Sequence, residues 1–101
     1  MAIGETTQYR SWIDRLDAGD GSALNEMLAH FEDRLRHLSH LMLKHFPRVK
    51  RWEQTDDVFL EAMLRLQKAL ETVSPASPGE FLDLAACQIR RELLDLLGQL
   101  D

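Results

Sequence analysis

Between Ser22 and His45 apolar residues recur at Leu24, Met27, Leu28, Phe31, Leu35, Leu38 and Met42. Steps of three and four place all seven on one side of an α-helix, and no alternating strand reproduces them. A helix with so long a stripe must bury it against other helices. Three further segments offer matching stripes. Gln8 to Asp17 carries Tyr9, Trp12, Ile13 and Leu16, and Gly19 and Gly21 stop it; Asp20 or Ser22 can cap the second helix. A third helix starts near Thr55, where Thr55-Asp56-Asp57 supplies a cap and acids at the positive end of the dipole; its apolar face runs Val58, Phe59, Ala62, Met63, Leu66, Leu70 and Val73. A fourth starts near Pro78, with Ser77 as cap, and runs through Phe81, Leu84, Ala85, Ile89, Leu93, Leu96 and Leu97 to Gly98. Pro47 marks the end of the second helix, and Ser74-Pro-Ala-Ser-Pro-Gly79 separates the last two. The pattern predicts an all-α fold, a compact bundle of about four helices forming one domain over residues 1–101.

Composition narrows the function classes. With 101 residues, 45% hydrophobic and 29% charged, the chain suits a soluble globular domain. No apolar run approaches the roughly 18 residues that span a bilayer, and the first residues lack the blocks of a signal peptide, so a cytoplasmic location with no membrane partner is expected. One cysteine, Cys87, excludes an internal disulfide framework and a multi-cysteine zinc site. Among Ala85, Ala86 and Ile89 it is expected to act as a small core residue.

The formal charge of -5 hides an asymmetry. From Arg34 to Arg51 there are six cations (Arg34, Arg36, Lys44, Arg48, Lys50, Arg51), three histidines and no acid. Such a patch steers a polyanion or an acidic partner; a solvated face with snorkelling side chains is the plain alternative. Trp52 follows Arg51 in the connection between helices two and three, which suits stacking on a base or pinning the loop to the core.

Enzyme signals are weak. There is no glycine-rich phosphate loop, His-Glu-x-x-His pair or nucleophile elbow, and no cofactor or small-molecule substrate is expected. His30, His37 and His40 share a side of the second helix, but no carboxylate joins them there to complete a metal shell. Glu61, Arg65 and Lys68 lie along one side of the third helix, where intrahelical ion pairs or a partner account for them equally. Arg90 and Arg91 are adjacent and point to different sides; either they pair with Glu92 and Asp95 or one reaches phosphate.

Asp17-Ala-Gly-Asp-Gly-Ser-Ala23-Leu followed by Phe31-Glu-Asp-Arg34-Leu resembles the opening of the first conserved domain of bacterial extracytoplasmic-function sigma factors. Thr55-Asp-Asp57-Val-Phe-Leu-Glu61-Ala-Met-Leu-Arg65-Leu-Gln-Lys68-Ala-Leu70 resembles that family's polymerase-binding helix. Ser77-Pro-Gly-Glu-Phe81, followed by Ile89-Arg-Arg-Glu-Leu-Leu-Asp-Leu-Leu97, resembles its promoter-reading helix, in the form seen in some planctomycete members. The resemblance covers roughly residues 12–98.

It implies a transcription initiation domain that binds the β′ clamp helices of RNA polymerase and captures the promoter −10 element as single strand, with an anti-sigma factor as a further conceivable partner. Asp57, Glu61, Arg65 and Lys68 would face polymerase. Ser74 and Ser77 would belong to the loop that holds a flipped-out base, and Arg90 and Arg91 would face the non-template strand; by their own chemistry, apart from the resemblance, Arg51 and Trp52 are expected to add a stacking, cationic DNA contact. The resemblance places the family's second DNA-binding domain outside this chain. Leu60 and Leu84 stand where the family usually has glutamine and tryptophan. The alternative is a diverged helical interaction domain without DNA reading, with Leu60 and Leu84 as contacts.

Overall fold

The computed structural model describes residues 2–100. Five helices occur in the order α1 (Ala2–Asp17), α2 (Ser22–Leu43), α3 (Pro47–Lys50), α4 (Thr55–Ala69) and α5 (Pro78–Gln99). There is no strand among the described residues. The stripes fold as expected into an all-α bundle. Its core joins Tyr9 and Trp12 of α1 to Met27, Phe31 and Leu35 of α2, Val58, Ala62 and Leu66 of α4, and Phe81, Ala85, Ile89 and Leu93 of α5. Phe31 sits at the crossing, with ring centroids 5.0 Å from Phe81, 6.4 Å from Trp12 and 6.5 Å from Tyr9.

The boundaries differ from expectation in physically informative ways. α1 starts six residues before Gln8. Its first turns carry no apolar stripe; Glu5 instead reaches the Arg34 guanidinium and His30 Nε2 (2.9 Å) on α2. At its other end Gly19 takes φ 94°, Asp20 N–H donates to Arg15 O and Gly19 N–H to Leu16 O, the paired bonds of a Schellman stop. Asp20 then accepts from Ser22 N–H (3.0 Å) at the start of α2.

Pro47 does more than end α2, for it opens the short α3, whose Val49 is buried. Thr55 is the first residue of α4 rather than its cap; Gln54 holds the cap position without a side-chain bond. α4 ends at Ala69, so Val73 lies in the turn beyond it and is exposed. α5 continues through Gly98 to Gln99, so that glycine does not terminate it. Cys87 is exposed rather than in the core, because two residues beyond Ala85 the helix has turned about 200° away from the buried face.

Glu5 supplies a pH prediction. Hydrogen bonds from Arg34 and then His30 lower its carboxyl from 4.5 to about 2. A depressed folded value means that the stabilisation is present above the unfolded value and is lost as pH falls through about 2. Glu5→Gln is therefore expected to cost about 1 kcal/mol or less at neutral pH, since the pair is partly exposed, and the difference should vanish at the acid end of that window. Urea unfolding of both proteins at several pH values checks this; a difference that is flat with pH would contradict it.

Candidate functional site

Three surfaces carry the residues singled out by the sequence. The first is the outer face of α4. Val58, Phe59, Ala62, Met63 and Leu66 turn inward, which leaves Asp57, Leu60, Glu61, Leu64 and Lys68 on the opposite side, all exposed. Leu60 and Leu64 are 56% and 58% exposed, and one turn of helix separates them. Leu64 had no place among the expected contacts, yet its position off the apolar stripe was a signal available in the sequence. Leu84, by contrast, packs partly buried against the core.

Arg65 does not pair with Glu61. Its Nε donates to Glu92 Oε1 on α5 (3.0 Å) and a terminal nitrogen donates to Asp95. Glu92 is a buried carboxylate. Arg65 is thus a bracket between α4 and α5. It takes both acids that were the natural partners of Arg90 and Arg91, and those two arginines stand exposed with no ion pair among the described residues.

The second surface joins the end of α4 to α5. Arg65, Lys68, Glu71, Thr72, Gln88 and Arg91 line a hollow of about 360 Å³. Lys68 and Arg91 both line it, while Arg90 lies about 100° further round α5.

The third is the α4–α5 loop. Ser77 Oγ accepts from Glu80 N–H (3.1 Å), as its capping position predicts. Glu80 Oε1 accepts from Ala76 N–H (3.3 Å). The buried Tyr9 hydroxyl donates to Pro75 O at 2.7 Å. Burial, with the Glu80 carboxylate a lesser influence, pushes the Tyr9 phenol well above its usual range, so it remains a donor at any ordinary pH. Ser74 is exposed beside a hollow of about 250 Å³ lined also by Arg10, Asp14 and Asp17 of α1.

Arg51 and Trp52 are not part of this cluster. Trp52 borders a hollow shared with Leu96, Gln99 and Leu100 at the far end of α5, and 22 helical residues, about 33 Å, separate that end from the loop. The basic stretch is also smaller than its sequence suggests. Arg34 is paired with Glu5, and Arg36 with Glu32 (2.9 Å) and Asp56 (2.6 Å), while stacking over Phe59. The histidines are separate: His30 meets Glu5, His40 lies 3.4 Å from Thr55 Oγ1, and His37 lines a groove between α2 and α5. Among the described residues no three metal-ligating side chains converge, and no helix is long and apolar enough to cross a membrane.

A family model described as ECF sigma factor matches residues 6–98. The chain belongs to the ECF sigma factor family. That match takes in α2, α4 and the loop whole, α1 from its fifth residue and α5 to its penultimate one. Membership makes this chain a transcription initiation factor, of a class that is not enzymatic and whose partners are RNA polymerase and promoter DNA. No curated protein and no solved structure matches it.

Proposed function

We propose that this sigma factor domain docks on the β′ clamp helices of RNA polymerase through the outer face of α4, and that the α4–α5 end holds the −10 element as single strand. The observation that carries the docking is the pair Leu60 and Leu64, exposed on a helix whose other large apolar residues are buried and flanked by Asp57, Glu61 and Lys68. Apolar anchors inside a charged rim give an interface both affinity and orientation. Arg65 supports this face by fixing α4 to α5 rather than by touching the partner.

At the loop, Asp14 and Asp17 repel phosphate but accept from an exocyclic amine, so the hollow by Ser74 suits a base; Ser77 shapes the loop through its cap. Lys68 and Arg91, with Arg90 on the next face, suit the phosphates leading to it. No covalent step is required. An anti-sigma factor would compete for the same α4 leucines.

The test is Leu60→Ala with Leu64→Ala. Together they are expected to weaken binding to core polymerase by about 2 kcal/mol, roughly thirty-fold, with an unchanged melting temperature. Unchanged affinity, measured by fluorescence anisotropy, would remove α4 from the interface. The same two leucines fit the alternative, an interaction domain that no longer reads DNA. Salt-sensitive binding of a −10-type single strand, weakened by Lys68→Ala with Arg91→Ala, separates the two.

A further inference from the structure

The corner formed by α3 and the residues after it remains outside the proposed interface. Trp52 is 71% exposed, the most exposed of the large apolar side chains among the described residues. It is nevertheless not on a loose loop. Pro47 opens α3, the buried Val49 anchors the corner in the core, and Val49 O accepts from both Trp52 N–H and Glu53 N–H at 2.9 Å. A hollow of about 160 Å³ lies beside the indole, bounded by Val49, Glu53, Leu96, Gln99 and Leu100. Lys50 and Arg51 immediately precede the indole, and Lys44 stands in the preceding turn; all three are exposed and none forms an ion pair among the described residues. Among the described residues Glu53 is the one acid lining the hollow. An exposed aromatic face on an anchored backbone, next to cations with no ion pair among the described residues, matches the two components of single-strand binding, stacking on a base and attraction to its phosphates. In duplex DNA the base faces are covered by their neighbours, so an exposed indole favours the unpaired strand.

We infer that Trp52 with Lys50 and Arg51 forms a second binding site for single-stranded nucleic acid, without sequence preference, at the opposite end of α5 from the base-holding loop. It is independent of the α4 docking face and of the loop. A strand held at both ends of α5 would be tracked across about 33 Å of the domain.

The chain has two tryptophans, and Trp12 is 4% exposed, so a change in indole emission on adding an oligonucleotide reports Trp52. An oligothymidylate of about twelve residues is expected to quench that emission. Trp52→Ala should weaken its binding about ten-fold, with Trp52→Phe recovering part of the loss. Lys50→Ala with Arg51→Ala should reduce the slope of log affinity against log salt by about 1.4. Lys68→Ala with Arg91→Ala should leave the quenching in place, so failure at the loop end does not imitate failure here. The inference is overturned if Trp52→Ala binds the oligonucleotide as tightly as the parent, or if a duplex binds equally well. It is also overturned if Trp52→Ala loses affinity only for polymerase, which would make the corner a protein contact. Circular dichroism of each variant confirms that it folds.

Discussion

Phe31→Ala is expected to lower folding stability by about 3–5 kcal/mol. Phe31 is fully buried where α1, α2 and α5 meet, with Tyr9, Trp12 and Phe81 against its ring and the Arg34 guanidinium 4.5 Å from its centroid. Truncation removes the transfer energy of the ring, leaves a cavity that three neighbouring aromatics cannot fill without leaving their own sites, and deletes edge contacts to Tyr9 and Trp12 and a tilted one to Phe81. In a domain of this size the melting temperature should fall by roughly 15 °C or more. Phe31→Leu keeps an apolar body in the space and should cost less than half as much. Thermal and urea unfolding followed by circular dichroism would measure both; a loss below about 1 kcal/mol for alanine would mean that the aromatic cluster is not the centre of the core.

The second large effect lies at Arg65. Arg65→Ala leaves the buried Glu92 carboxylate without its cation and releases Asp95. Breaking a fully buried pair typically costs 3–5 kcal/mol; Arg65 is about a third exposed, so about 2–3 kcal/mol is expected here. Adding Glu92→Leu removes the stranded charge and should restore much of the loss, which a single contact to polymerase could not explain. Unfolding of the two single variants and the double variant checks the coupling, and additive losses would contradict the bracket. A variant pairing Arg65→Ala with Glu61→Ala would therefore mix instability with docking. Leu60 and Leu64 are cleaner probes.

The helices were legible because burial leaves a periodic trace: the stripes in α2, α4 and α5 name most of the core. The first turns of α1 left none, since Glu5 holds them through Arg34 and His30 on another helix, and the partners of a polar contact are not encoded in local spacing. Arg65 is a second instance. Its neighbours on α4 looked like partners, but the packing of α5 brought closer ones. The capping role of Ser77 was readable because its bond is local. Chemical type groups Arg51, Trp52, Ser74 and Ser77 together, and only the antiparallel run of α4 and α5 shows that the helices carry them to opposite ends.

The hydrogen bond from Tyr9 to Pro75 joins residues 66 positions apart. It ties the loop to the first helix from within the fold, and under the proposed reading an incoming base would meet a surface with little ordering entropy left to lose. The first helix thereby acts as the template on which the α4–α5 loop is cast.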